Sequence, residues 1–338
     1  MKTKNSILTS FVTAPKRLGS PRANLFIALS VLAALFSLQP AHAQESNAGA
    51  LTKAEQQQMQ DIMKKVDEKI KVGFKGQEAL QTEMSKELQR ISGLKDSAEQ
   101  KRAAATYQAK YLKSYSGVLS KAGVDLSTVA KQLQGVARRF NFSVLPDLSI
   151  VGIYAKKSSP LALPPAGPTS KTTKIDQFVD HKERSCSLAA GSDVTFTSSS
   201  ATTSAGAVVA GGCSSRGDKR ATVAVPAAAT SALVSVRADL AAEAFAVGVL
   251  GTSIADASAS FAVNNSGFAS VFVVVVAPIA WIASAEESLD GQSINVELAA
   301  GSSNAVRFNT RAIVIAAIGG GSSKAKVKNI AASLTVTQ

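Results

Sequence analysis

Histidine is almost missing from this sequence: His42 and His181 are the two in 338 residues. That excludes a multi-histidine metal centre. The spacings H-E-x-x-H and G-x-S-x-G, a phosphate-cradling P-loop and a G-x-G-x-x-G after a strand are missing as well. The sequence therefore implies no cofactor, and the expectation is a protein that is not an enzyme. Cysteine is equally scarce, with Cys186 and Cys213 the only two. Lacking a C-x-x-C or histidines to share a metal, the pair reads as one disulfide made in an oxidising compartment. Aromatic residues are 5% of the chain and Trp281 is the single tryptophan. A membrane-spanning β-barrel carries aromatic girdles at both interfaces, so that class is excluded. Long apolar runs are missing too. Phe268–Ile282 is the richest after residue 43, but 15 residues interrupted by Pro278 fall short of the roughly 20 of a spanning helix.

Acidic residues are absent from the first 43 positions, which hold Lys2, Lys4, Lys16, Arg17 and Arg22. An apolar stretch over Asn24–Leu38 and the small-residue box Ala41-His42-Ala43 follow in the order of a secretory signal peptide, residues 1–43, cleaved before Gln44. No cysteine follows the apolar stretch, which argues against a lipoprotein. The expected product is exported, periplasmic or extracellular, and does not span the membrane once cleaved. Setting those five basic residues aside reduces the formal net charge from +13 to +8. The excess lies among acidic residues along predicted helices, the pattern of a solvated face and not of a nucleic-acid surface.

Residues 44–140 read as helical. Thr52-Lys53-Ala54-Glu55 matches a capping box. Met59, Ile62, Met63, Val66 and Ile70 then recur at helical spacing, and so do Leu80, Met84, Leu88 and Ile91. Ser97 with Gln100 predicts a third start, carrying Ala104, Tyr111, Leu112 and Tyr115. A fourth helix holds Val129, Leu133, Val136 and Phe140. Breaks near Gly73, Gly93 and Gly123 favour a small antiparallel bundle; a coiled coil joining a partner or a second copy is the alternative. Residues 141–174 combine a β-like segment, Asn141–Tyr154, with a spacer containing Pro160, Pro164, Pro165 and Pro168.

Residues 175–338 change to Ala, Val, Ser, Thr and Gly with period-two alternation. Strands are expected at Asp193–Thr197, Ala221–Val225, Ala232–Val249, Ile254–Val263, Phe268–Ile282, Ser293–Ala299, Asn304–Ile318 and Lys324–Val336. Turn residues separate them at Gly191-Ser192, Gly211-Gly212, Asn264–Gly267, Asp290-Gly291, Gly301–Ser303 and Gly319–Ser323. Phe272, Val274 and Val276 alternate with Val271, Val273 and Val275, so this strand is apolar on both faces and belongs in the middle of a core. Ala238–Ala246 is alanine-rich enough to fit a helix or a strand. The fold class that emerges is α+β multidomain: an N-terminal helical bundle, then an antiparallel, jelly-roll-like β-sandwich with one disulfide.

Candidate sites are few. Arg307 and Arg311 share one strand face, and Lys324, Lys326 and Lys328 share one on the next segment. Paired through a Gly319–Ser323 turn, they would form a basic surface stripe, or edge lysines that discourage aggregation. Arg216-Gly217-Asp218 resembles an adhesion tripeptide but is short enough to arise by chance. Asp239, Glu243 and Asp256, with Glu286, Glu287 and Asp290, are the carboxylates that a hydrolase or a Ca²⁺ site would draw on; surface solvation explains them as well. His181 beside Asp180 reads as a surface histidine. The expected function is binding or structural, at the cell envelope or surface. The sandwich offers the interaction surface, and the helices serve attachment or self-association through residues 44–140. The partner is an unknown protein or a surface polysaccharide. A carbohydrate-binding module or adhesin would need Trp281 and Tyr154 on an open groove, and a carboxylate-dependent hydrolase would need two facing carboxylates in a cleft.

Overall fold

Thr52 starts the first helix as its spacing predicts. The Glu55 amide donates to the Thr52 hydroxyl at 3.2 Å, and the Thr52 amide donates to the Glu55 carboxylate at 2.7 Å. Helix α1 spans Lys53–Gly73, α2 Glu78–Ser92, α3 Ser97–Lys121 and α4 Leu126–Val136. Asp96, not Ser97, caps α3 by accepting from the Ala98 amide, and Asp125 caps α4 through Ser127 and Thr128. The structure is a computed structural model that describes residues 51–94, 96–158, 169–187, 190–264 and 267–338. The expected signal peptide and the four clustered prolines lie outside the described residues.

Eleven strands follow among the described residues: β1 Asn141–Val144, β2 Ile150–Lys156, β3 Ser170–Lys174, β4 Val179–Cys186, β5 Ala190–Thr197, β6 Ser200–Ala224, β7 Ser231–Gly248, β8 Ser253–Val263, β9 Gly267–Ala277, β10 Trp281–Leu298 and β11 Ser303–Thr337. All pair antiparallel in one continuous sheet. Two strands are long enough to cross from one layer to the other. The first half of β11 lies between β8 and the second half of β6, in the order β1-β2-β9-β8-β11-β6-β4. Its second half lies between β7 and the first half of β6, with β10 beyond β7, β5 beyond β6, and β3 alongside the C-terminal end.

Glycines make the crossing possible. The register shifts between Ala316 and Gly319, and a Cβ at Gly319 would fall on the Val247 carbonyl oxygen. The shift also switches which residues face inward: Val306, Phe308, Ala312, Val314 and Ala316 before it, Ala325 and Val327 after it. Gly319–Ser323, Gly211-Gly212 and Asp290-Gly291 are therefore not the hairpin turns that their composition predicts. Each lies inside a strand, where glycine permits a bend or bulge instead of a reversal. Ala238–Ala246 belongs to β7 and not to a helix; its even-numbered alanines face the core between the layers.

That core is mostly alanine and valine, as suits two closely spaced layers. The other face of the first layer has a second core. Phe272, Val274 and Val276 of β9, Ile254 of β8 and Phe142 of β1 pack with Met59, Met63, Ile70, Met84, Leu88, Tyr115 and Leu133 of the helices. The four helices thus do not close on themselves as a free-standing bundle. Their apolar stripes lie on the sheet and make a third layer, and the apolar-on-both-faces strand sits in the middle. Polar tips fasten the join: the Tyr107 and Tyr115 hydroxyls donate to the Ala280 and Ile279 carbonyls at 3.0 and 2.8 Å. Asp67, buried on α1, accepts from the Thr252 and Ile279 amides at 2.8 and 3.0 Å and from the Thr252 hydroxyl at 2.9 Å.

Candidate functional surfaces

The outer face of the second layer is open and lined with short side chains. Register places Glu286, Glu243, Lys324, Ser204 and Asp193 in one row across β10, β7, β11, β6 and β5. The next row reads Ser288, Ala241, Lys326, Thr202 and Thr195. Small residues sink the floor below its borders. Two adjoining hollows of about 470 and 490 Å³ result, sharing Glu243 and Lys324. The end of α2 and start of α3, through Ser92, Leu94, Ser97 and Gln100, border one of them.

Lys101 of α3 reaches over this trough. Its ammonium lies 3.0 Å from Glu243 and 2.8 Å from Glu286. Two carboxylates 43 positions apart in sequence thereby share one cation. The bond from Lys101 holds the Glu286 carboxyl below its ordinary range. Burial pulls the Lys101 ammonium down, but its bonds to Glu286 and Glu243 outweigh that and raise it. A glycosidase-like pair needs one carboxylic acid kept protonated by its surroundings. The bridge to Lys101 favours the ionised form of Glu286 instead. Asp239 is occupied otherwise: it accepts from the Gly291 amide at 2.6 Å and from the Asn329 side chain at 2.5 Å, tying the β10 bulge to β11.

Lys324, Lys326 and Lys328 alternate along the second half of β11, and Lys324 and Lys326 line the trough. Arg307 and Arg311 are on its first half, on the outer face of the first layer. Because β11 runs through Gly319–Ser323 without reversing, the five expected basic residues fall on opposite sides of the molecule.

The arginines have different neighbours from those expected. Arg307 stands opposite Arg220, and Arg311 opposite Arg216, with Asn309 and Asp218 between them. Asp218 is fully buried; Arg220 bonds its carboxylate, and the Arg216 guanidinium lies 4.0 Å away. On the β8 side the same face carries Ser258, Ser260 and Ala262, and on the β4 side Glu183, His181 and Val179. The Arg-x-Asp-x-Arg and Arg-x-Asn-x-Arg alternations in the sequence put each trio on one strand face. Their adjacency depends on register across 91 residues and has no local signal. The tripeptide Arg216-Gly217-Asp218 lies within β6 and not in a loop, with its aspartate buried, so it is no adhesion loop.

Nearer the helices, Arg311 donates to the Leu51 carbonyl at 3.3 Å, and Arg139 bonds both oxygens of Glu55 at 2.5 and 2.7 Å. Asp256, 4% exposed, lies on this face beneath α1. Burial pushes its carboxyl up to about 6, against the pull of Arg311 and Arg139. Trp281 is completely buried. It stacks on Tyr115 with centroids 4.4 Å apart and donates to the Asp147 carbonyl at 3.1 Å. It is therefore no part of an open groove with Tyr154, which is half-buried against Phe272. His181 is exposed on β4, 3.1 Å from Glu183. Cys186 and Cys213 are cross-strand partners on β4 and β6 and form the disulfide. Among the described residues no helix is long and apolar enough to cross a membrane, and no three metal-binding side chains cluster.

No family model and no curated protein sequence matches the chain. Among solved structures it is similar to the module TmCBM61 in complex with β-1,4-galactotriose, at 12% identity and a TM-score of 0.14 over 45% of this chain and 86% of that one. It is also similar to the enzymatically active domain of tailspike protein 4 of bacteriophage CBA120, at 12% and 0.12 over 49% of this chain and 19% of that one. A third is a carbohydrate-binding module of the β-sandwich superfamily, at 9% and 0.10 over 48% and 56%. Likenesses of this size carry no functional argument, and the reading rests on the two surfaces.

Proposed function

We propose that the protein is an exported, non-catalytic binding protein of the cell envelope or surface, whose interaction surface is the trough on the second layer. The observation that carries this is the trough itself: two adjoining polar hollows lined by Ala, Ser and Gly and bordered by Glu243, Glu286, Lys324 and Lys326. An exposed face of short side chains lets an extended chain lie against the strands. The Lys101 bridge supports binding over hydrolysis, because it occupies Glu243 and Glu286 with one cation and holds the Glu286 carboxyl below its ordinary range. The disulfide fits an oxidising compartment. On this reading the sandwich is jelly-roll-like and the helices serve it as a covering layer.

Chemical crosslinking of the chain from Gln44 to Gln338 in native envelope fraction tests the proposal. A defined partner captured by the wild type and lost in Ser322→Arg, which fills the exposed floor, is the expected result. Capture unchanged by both Ser322→Arg and Lys324→Glu would place the interaction elsewhere. The hydroxyls of Ser192, Ser204, Ser288 and Ser322, which line the hollows, favour carbohydrate as a second reading of the same trough. Retention on neutral polysaccharides that Ser322→Arg abolishes would select it.

A further inference from the structure

We propose that β4 is the docking edge for a second copy of this chain, joined antiparallel across a two-fold axis so that the first layers of both copies become one sheet. β4 closes the first layer: among the described residues it pairs with β6 alone, and no strand lies along its other edge. All of its residues, Val179–Cys186, are exposed, and none belongs to either core. It is nonetheless fastened at both ends. Cys186 is bonded to Cys213, and Asp180 accepts from the ammonium of the buried Lys219 at 2.7 Å. A strand held in place that buries nothing presents a fixed row of backbone N–H and C=O groups, the template on which another strand adds. It lines neither hollow of the trough, so this proposal does not rest on that reading.

Charge order identifies the occupant. Charges on an edge strand ordinarily discourage pairing, and the middle of β4 reads Asp180-His181-Lys182-Glu183-Arg184. A two-fold axis through the sheet pairs residues that share a face, so odd numbers meet odd and even meet even. Centred on Lys182, the axis sets Asp180 against Arg184 of the second copy and His181 against its Glu183, each pair occurring twice. Lys182 against Lys182 is the one like pair, and each lysine lies diagonal to an Asp180 of the other copy. Centred on Glu183, Lys182 would meet Arg184 twice and Glu183 would meet itself. Centred on His181, Asp180 would meet Lys182, but His181 would meet itself and fewer residues would overlap. One register of a like strand therefore fits. On β6 behind it, Asp218 stands opposite His181 and Arg216 opposite Glu183, so charge also alternates across the outer face. Local bonds leave room for the second copy. Asp180 and Arg184, bonded to Lys219 and Asp193, keep side chains 38% and 40% exposed, and the neighbouring pair His181 and Glu183 keep 59% and 57%.

Sedimentation velocity of the chain from Gln44 to Gln338, over a wide range of concentration, is the test. A contact one strand long is at the weak end of specific interfaces, so a reversible monomer–dimer equilibrium is expected. Arg184→Glu turns two opposed pairs into like ones and should weaken association about tenfold or more. Lys182→Ser removes the one like pair and should tighten it about two- to fivefold. Near-UV circular dichroism checks each fold. Air oxidation of Lys182→Cys should give a disulfide-linked dimer, because the two copies of residue 182 face each other across the axis. Arg184→Cys should not, because its two copies are separated along the strands. A monomer at every concentration would overturn the proposal. So would a dimer that Arg184→Glu leaves intact, or one that links through Arg184→Cys in preference to Lys182→Cys.

Discussion

Removing the Asp67 carboxylate should loosen the helical layer from one end of the sheet. Its two oxygens accept three bonds of 2.8–3.0 Å from Thr252 and Ile279, and both loops that they hold bear on the second core. Hydrogen bonds to a charged group contribute about 1.5–3 kcal/mol each, so the three together set an upper bound of several kcal/mol. Burial opposes them, as the rise of the Asp67 carboxyl above its ordinary value shows, since the ionised form is disfavoured away from water. The net loss expected for Asp67→Ala is about 3–4 kcal/mol, mainly from two buried amides left without an acceptor. Asp67→Asn keeps the shape and one oxygen, so about half that loss is expected. Urea unfolding followed by Trp281 fluorescence is the assay, because Trp281 stacks on Tyr115, whose hydroxyl bonds the same Ile279. In a chain of this size each kcal/mol corresponds to about 2–4 °C in melting temperature. Loss of under about 1 kcal/mol in Asp67→Ala would refute the reasoning, since no rearranged water or side chain should replace three such bonds.

Asp256→Asn should act in the opposite direction. A carboxyl raised from 3.8 to about 6 by folding destabilises the native state by about 3 kcal/mol once pH exceeds 6, and by nothing below about 4. The variant should therefore be more stable than the wild type at pH 7.5, with the difference vanishing by pH 4; a less stable variant at pH 7.5 contradicts this. Cys186→Ser/Cys213→Ser removes a crosslink between residues 27 apart, and guanidinium unfolding should show a loss of about 3–4 kcal/mol on the chain-entropy account. Deleting residues 44–140 uncovers Phe272, Val274, Val276, Ile254 and Trp281. The remaining sheet should then aggregate or bind 8-anilinonaphthalene-1-sulfonate strongly, whereas a soluble, monodisperse product without dye binding would show that the helices are dispensable to the sheet.

Local periodicity accounts for much of the architecture. Met59, Met63, Val66 and Ile70 mark a helix face at 3.6 spacing, and Val271 to Val276 mark a strand apolar on both faces, because both patterns are intrinsic to one segment. The capping box at Thr52 and the pairing of two lone cysteines are legible for the same reason. What covers the second face of β9 is not: helices more than 130 residues earlier reach it, and no segment encodes its partner. Glycine was ambiguous in a related way. Gly319 permits either a reversal or a bulge, and the choice falls to Val247 and Ser253, which approach it too closely for a side chain. That choice sent Lys324, Lys326 and Lys328 to one side of the molecule and Arg307 and Arg311 to the other. Strand register likewise sets Arg307 against Arg220 and Glu243 against Glu286, pairings that no local sequence pattern encodes. Near neighbours and burial pattern marked the helix stripes, the β9 strand apolar on both faces and the disulfide pair, but not where the long strands run on through their glycines. Tertiary structure alone decided which charges meet, because register is set by the packing of distant strands and not by the residues that carry the charge.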